Sequence, residues 1–518
     1  MSLLKSAASV GGFTLASRLL GFFRDQLIAF TFGTGPVAEA FVVAQRLPNL
    51  FRALFAEGAF NNAFVPHFSR KLETDGKPAA LSFSRDMFCV MATWMIVFCG
   101  AAMVAMPWLM PLFAWGFKSQ PETLALATEL TRICFPYLGF MTLAALFGGV
   151  LNSLGRFSAP AAAPILLNIV MILFNLWGWY RGYGNSPDSG RLQAWAITVA
   201  GVAQLGLVMY AAWRAGASIT PTRPRLTADV KHVIRQSGPG IVSGGVTQIN
   251  LAIATALATS IPGGAAYLYY ADRLFQLPLG VIGVAIGVVL LPTLSRKLRS
   301  GDIEGAAISQ NRALEFSLFL TLPATAALII IGRPILHTVF EHGAFTREAT
   351  LNTSPALAAF AAGLPAFTLS KIFQPGFFAR DDMKTPMYFS FATVAINIAL
   401  SFLLIQYFSH VGIALATAIA AWVNAILLIS TSLARKHFGP DARLKSRLPR
   451  MLLATAVMAA CLMASLYLLE PNYVAGAGFI KALWGLLILL TVGCVSYASA
   501  AQITGAFRFT DLKSAFKR

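Results

Sequence analysis

The sequence predicts an all-α integral membrane protein. It has fourteen transmembrane helices, arranged as two parallel-repeat six-helix lobes around a central cavity plus a C-terminal helix pair. Three observations carry this prediction. The 518 residues are 57% hydrophobic and only 12% charged, with mean hydropathy +0.68, more apolar than a soluble chain of this length needs. Basic residues alternate from loop to loop: counting those within about a turn of a span end with the adjoining loop, of 40 Lys and Arg, 27 fall on the side of the termini, 6 on the other and 7 deep inside spans. The chain also repeats itself at an offset near 227 residues.

A crossing helix needs ~20 apolar residues. The first window, 8–32, is interrupted by Arg18 and Arg24 and lacks an Ala-x-Ala-like site, so it reads as a span and not a cleaved leader. The turn Gly33-Thr34-Gly35-Pro36 leads into the second, 37–66. Windows at 83–110, 124–150, 160–180 and 192–213 complete six. The seventh, 232–260, is rich in Gly, Ser and Thr, which suits close packing or a hinge. Windows at 266–294, 311–332, 351–377, 387–408 and 411–433 complete the second six. The basic segment RKHFGPDARLKSRLPR (435–450) then precedes 451–470 and 477–502. Pro48, Pro136, Pro164, Pro278 and Pro365 fall inside spans, where proline kinks a membrane helix without ending it. The expected divisions are lobes at 1–220 and 221–440 and a pair at 441–518.

The charge alternation places both termini in the cytoplasm. It also accounts for the net charge of +19 without nucleic acid. Cys89, Cys99, Cys134, Cys461 and Cys494 lie in apolar runs with no metal or redox spacing, and read as small core residues. The repeat aligns Ala-x-Arg-Leu at Ala44 with the same string at Ala271, and Arg46 with Arg273. Pro107 matches Pro334, Phe117 matches Phe345 and Asn168 matches Asn397. An offset of six spans makes the halves parallel, a class in which substrate binds at the repeat interface near the midplane.

Residues 14–58 carry Arg18, Arg24, Asp25, Glu39, Arg46, Arg52 and Glu57 where lipid-facing positions would be apolar. Each ionised group at the bilayer centre costs roughly 2.5–3.5 kcal/mol on insertion scales. Four arginines against three carboxylates suggest a wet cavity built for an anion. Guanidinium stays charged and grips phosphate with a planar fork. Arg18 and Asp25 are seven apart on one helix stripe, as are Glu39 and Arg46, and Gln45 and Arg52. Asn49 lies within a turn of Gln45 and Arg52, and Asp272-Arg273 occupies the repeat position of Gln45-Arg46. Arg132 and Lys371 read as snorkelling cations. No catalytic Ser/His/Asp set, metal-type His cluster or phosphate loop appears, so no enzyme, cofactor or metal is expected.

The strings SRLLGFFRD, AEAFVVAQRLPNLFRALFAEGAFNNAFVP and YYADRLFQLPLGVIGVAIGVVLLP closely resemble the MurJ (MviN) lipid II flippases of the MOP exporter superfamily, essentially end to end. That resemblance implies transport of the lipid-linked peptidoglycan precursor across the bacterial inner membrane by a rocking cycle. It implies a cationic cavity for the head group and a groove for the polyprenyl tail framed by the last two helices. The family's essential arginines match Arg18, Arg24, Arg52 and Arg273, with Ser17, Asp25, Asn49, Glu57 and Asp272 as associated polar positions. Glu39 and Arg46 keep the charge found there in relatives. Implied partners are lipid II, membrane lipids and cell-wall synthesis proteins, with no nucleic acid. A sodium site with carboxylates in the seventh and eleventh helices is not matched: Gln248, Asn250 and Asn397 stand there instead. The alternatives are a flippase for another polyprenyl-diphosphate-linked oligosaccharide, a cation antiporter of the superfamily, or a non-transporting cell-wall scaffold.

Overall fold

A computed structural model of the chain describes residues 3–55, 59–220, 222–473 and 478–507. Among these residues the regular structure is helical, in sixteen α-helices and two short 3-10 turns. They are α1 (Leu3–Phe32), α2 (Pro36–Phe55), α3 (Ala59–Thr74), α4 (Gly76–Phe113), α5 (Pro121–Cys134), α6 (Pro136–Ser153), α7 (Ser158–Tyr180) and α8 (Pro187–Arg214). There follow α9 (Ala228–Ala258), α10 (Gly264–Arg299), α11 (Ile303–Phe340), α12 (Arg347–Phe378), α13 (Lys384–Phe408), α14 (His410–Ala434), α15 (Ala442–Leu469) and α16 (Phe479–Thr504).

Ten helical segments among the described residues are long and apolar enough to cross a membrane, with α5 and α6 forming one of them. The windows at 8–32, 37–66, 232–260 and 266–294 correspond to α1, α2 with the start of α3, α9 and α10. These are the helices whose apolar character is diluted by charged or small residues. The window at 124–150 is divided at Phe135, because Pro136 has no N–H to continue the ladder and begins α6 instead. At 38 residues, α4 is about 57 Å long, well beyond a ~30 Å hydrocarbon core. Side-chain oxygens open several helices where the sequence supplies them. Thr227 accepts from the N–H of Val230, Thr346 from Ala349 and Asp441 from Leu444.

The chain forms two packing units. The first holds Met1–Ala266 together with His342–Phe345, and the second holds Tyr267–Glu341 with Thr346–Arg518. In the first, α1 lies on α7, α7 on α8, α6 on α8, α2 on α5, and α9 on α2, α3 and α4. Phe60, Phe64, Phe68, Phe83 and Phe147 form its aromatic core with Met87 and Met91. In the second, α12 is central, packed on α11 and α14, and α15 with α16 is applied to α11. Its core runs from Leu314, Leu369 and Phe373 to Met451, Met458, Leu462 and Leu489.

Lipid is as apolar as leucine, so close packing and buried hydrogen bonds hold such helices together. A Cβ on Gly363 of α12 would meet the Cα of Ala418 on α14 at 3.0 Å, and one on Gly201 of α8 would meet Tyr137 of α6 at 2.8 Å. Cys89, Cys99 and Cys134 are buried as expected, but Cys494 is exposed on the outer face of α16. All five thiols are free.

Candidate functional site

The first helix is bound to α7 by a polar seam at heptad spacing. Arg24 is buried, and its Nε and Nη2 donate to Oδ1 of Asp25 at 3.1 and 2.7 Å. Its Nη1 donates to Oδ1 of Asn168 on α7 at 3.0 Å and contacts the Met171 sulfur at 3.8 Å. Asn168 is fixed in turn: its Nδ2 donates to the backbone oxygen of Ser17 at 2.9 Å and reaches Oγ at 3.4 Å. Gly21 leaves room for that amide, since a Cβ there would touch it at 3.5 Å. One heptad further, Thr31 donates to Oδ1 of Asn175 at 3.0 Å. Ser17, Arg24 and Thr31 thus form one stripe facing Asn168 and Asn175. A buried charge is tolerated when paired and fully hydrogen-bonded.

The expected neighbour relation of Arg24 and Asp25 is an ion pair here, and Asn168 of α7 takes the remaining Nη1 of Arg24. Arg18 is exposed and makes no ion pair among the described residues.

On α2, Glu39 is buried at 2% exposure. Its carboxyl lies beside the backbone of Gly263 and Ala265 at the opening of α10, and its Oε1 is buried with no hydrogen-bond partner among the described residues. Glu39 is therefore not the partner of Arg46, which is half-buried beside half-buried Gln45. Arg52 donates through Nε to Oδ1 of exposed Asn49 at 3.2 Å, the one-turn contact the sequence suggested. Glu57 lies outside the described residues. On α10, in the second unit, Arg273 donates through Nη2 to the Tyr269 hydroxyl at 3.1 Å. Its guanidinium carbon stands 4.7 Å from the centroid of that ring. Asp272 accepts from the Gln276 amide one turn on. Arg132 is exposed and donates to the Met103 carbonyl at 2.9 Å, and Lys371 is exposed on α12.

Two loop contacts in the first unit obey the sequence repeat. The segment His342–Phe345 docks on the end of α1, where the Ala344 N–H donates to the Phe30 carbonyl at 2.8 Å. Trp115 and Gly116 dock after α9: Trp115 Nε1 donates to Ser260 Oγ at 3.2 Å and the Gly116 N–H to Thr259 Oγ1 at 3.2 Å. Gly116 and Gly343 are 227 apart, as are Gly33 and Ser260. A Cβ on Gly116 would lie 2.2 Å from the Ser260 nitrogen, and one on Gly343 would lie 2.4 Å from the Phe30 oxygen. Both glycines are needed for backbone to approach backbone.

Sequence reasoning marked Asn168 only as a repeat position and passed over Thr31, Asn175 and Tyr269. The available signal was the cost of an amide in an otherwise apolar span. It also passed over the cage around Glu315 in the second unit. That carboxylate, 4% exposed on α11, is met by Arg312 and by Arg443 and Arg447 from α15, the Arg443 Nε at 3.0 Å. Arg312 also pairs with Asp441. The cage fastens the basic 435–450 segment to α11.

Guanidinium groups at Arg18, Arg24, Arg46 and Arg52 lie on α1 and α2. Of the carboxylates there, Asp25 is committed to Arg24 and Glu39 is buried beside the Gly263 and Ala265 backbone. Guanidinium groups can hold an anion by charge-assisted hydrogen bonds.

Comparison with known proteins agrees. Residues 28–483 match the family model described as lipid II flippase MurJ. A probable lipid II flippase MurJ of Rhizobium meliloti (strain 1021) is 44% identical over 508 residues, covering 98% of this chain and 95% of that one. Its counterpart in Rhizobium tropici is 43% identical over 519 residues, covering 100% and 97%. A solved lipid II flippase MurJ in an inward closed conformation superposes with TM-score 0.78 at 25% identity, covering 95% of this chain and 98% of that one. An inward-facing multidrug resistance MATE family transporter of the MOP superfamily shares the fold, with TM-score 0.66 at 15% identity over 81% of this chain and 94% of that one. A helical, membrane-type chain with a surplus of guanidinium groups in its first two helices, matched along nearly its whole length, belongs to the MurJ lipid II flippase family.

Proposed function

We propose that this chain flips lipid II, the polyprenyl-diphosphate-linked peptidoglycan precursor, from the cytoplasmic to the periplasmic leaflet of the inner membrane. The cycle is one of alternating access, and no bond is made or broken. The names of its relatives support this reading, and so does one feature of the chain itself. Within apolar helices, α1 and α2 keep more arginines than acids, and Glu39 is buried with no ion pair among the described residues. An anionic cargo is the economical reason for such a surplus in hydrocarbon.

In this reading Arg18, Arg24, Arg52 and Arg273 hold the diphosphate. Arg24 acts from a fixed position, braced by Asp25 and Asn168. Arg273 is steadied by the face and hydroxyl of Tyr269. Ser17, Asp25, Glu39, Arg46, Asn49, Glu57 and Asp272 form the surrounding polar network. Lobes 1–220 and 221–440 alternate while the pair 441–518 keeps the tail in lipid, and both termini are cytoplasmic, on the side rich in Lys and Arg. The cargo must bind differently in the two states, because only differential affinity moves the equilibrium.

The test is reconstitution into vesicles with labelled lipid II, its exposure read from one side. Protein-dependent appearance on the far leaflet, lost in Arg52→Ala and Arg273→Ala, is expected. No appearance, with protein intact and lipid bound, removes the assignment.

A further inference from the structure

We propose that the second unit carries a separate anion site at its outer end, which takes the phosphate of a membrane lipid in the leaflet opposite the basic loops. The proposal rests on the topology given above. It concerns a cleft of about 360 Å³ lined by Ile330, Arg333 and Pro334 of α11, Arg347 of α12, Met463, Leu466 and Tyr467 of α15, and Glu470 and Tyr473 of the turn that follows.

The charge pattern singles the cleft out. Only six Lys and Arg lie on the outer side: Lys118, Arg181, Arg191, Arg333, Arg347 and Lys481. Two of these six line one cleft. Arg191, by contrast, is consumed by Glu129 and Asp188, each at 2.8 Å. Arg347 spends Nη1 on the Tyr473 carbonyl at 2.8 Å, which fixes the turn that closes the cleft. Arg333 is exposed and makes no ion pair among the described residues. The nearby acid Glu341 is already engaged by Thr350 at 2.6 Å and His337 at 2.9 Å. Among the lining residues two guanidinium groups and Glu470 leave one positive charge, and because Glu341 also acts on Arg347, exposed Arg333 is the guanidinium left to meet a phosphodiester.

The walls fit a lipid. Tyr467 is 79% exposed and Met463 55% exposed on the outer end of α15, a depth at which aromatic and apolar side chains meet the head-group region. The kink of α11 at Ile331, three residues before Pro334, forms the floor. A guanidinium group facing the head-group layer can hold a lipid phosphate by charge-assisted hydrogen bonds.

The experiment is native mass spectrometry of the full-length protein in detergent, with phosphatidylglycerol, undecaprenyl phosphate and inorganic phosphate as separate probes. Wild type should retain phosphatidylglycerol. Arg333→Gln, an exposed change that leaves the Tyr473 turn in place, should weaken retention roughly tenfold, the value of one charge-assisted hydrogen bond. Glu470→Gln should strengthen it, a sign that loss of structure would not give. Tighter retention of undecaprenyl phosphate supports the site and assigns it to polyprenyl lipids, and parity supports it and assigns it to bulk lipid. Retention of inorganic phosphate without either lipid overturns the proposal, as does equal retention by wild type and Arg333→Gln. Labelling of Arg333→Cys by an impermeant maleimide tests the topology by itself. Reaction only from the side of the basic loops would refute the topology and leave the binding result standing.

Discussion

Replacing Gly33 with alanine should release the docking of His342–Phe345 on α1. Gly33 has φ +59°, a left-handed conformation that costs an alanine about 1 kcal/mol. The added Cβ would stand 2.2 Å from the Ala344 carbonyl oxygen, against the ~3.4 Å or more of ordinary contact. The docked segment must therefore retreat by about 1.2 Å, which stretches the 2.8 Å bond from the Ala344 N–H to the Phe30 carbonyl beyond hydrogen-bonding range. That loss is worth about 1 kcal/mol. With residual strain the total is about 2–3 kcal/mol against the docked arrangement, or roughly 30- to 150-fold in its equilibrium. The assay is the rate at which Thr34→Cys, in a background without other reactive thiols, is labelled by a maleimide. The half-buried site should label faster in Gly33→Ala by up to that factor. Gly35→Ala, whose Cβ would meet nothing within 4 Å, should leave the rate unchanged. Cys134, fully buried at the end of α5, should stay unreactive in all variants if the fold is intact. Equal labelling in Gly33→Ala and Gly35→Ala would refute the reasoning.

Gly116→Ala should have the same effect at the related contact, read by quenching of Trp115, whose indole loses Ser260 when the loop retreats. Asn168→Leu should lower the unfolding temperature and reduce flipping, because it leaves the buried Arg24 short of a partner at a cost of roughly 1–3 kcal/mol. Asp229→Asn should loosen α3 from α9 by about 1 kcal/mol, since Lys71 at 2.8 Å and His67 at 3.0 Å both close on that carboxylate. Hydrogen exchange of α3 would report it. The Thr385 backbone N–H, and Arg435 beside it, hold the Asp382 carboxyl down at about 2. Its folded value lies below its unfolded one, so the contribution is present above the usual 3.8 and is lost as pH falls toward 2. The stability difference between wild type and Asp382→Asn should close over that interval in thermal unfolding.

Helices were legible in the sequence because a long apolar window has little alternative to a spanning helix. The windows at 160–180, 387–408 and 411–433 fall within α7, α13 and α14. Partners were less legible, because spacing along one helix says which residues share a stripe but not what stands opposite. Arg52 found Asn49 one turn away, a local contact that spacing can foresee. The Asn168 amide that meets Arg24 comes from 144 residues away, and spacing along α1 says nothing of it. The burial of Glu39 beside the Gly263 and Ala265 backbone could not be read at all, since every residue carries a backbone N–H. The matched loop contacts fall at the repeat offset, though no motif announced them. Gly116 and Gly343 carry no chemistry, only the absence of a side chain.

The C-terminal pair is secured to α11 and α12 at several levels. The Glu315 cage holds the start of α15 and the Tyr497 hydroxyl donates to the Phe319 carbonyl at 2.7 Å, both on α11, and Arg347 of α12 grips Tyr473 beyond the far end. A helix pair fastened near both tips cannot swing independently. Whatever path α11 takes, α15 and α16 travel with it as a keel travels with its hull. A long hydrocarbon chain lying along them would keep the same neighbours from the beginning of a cycle to its end.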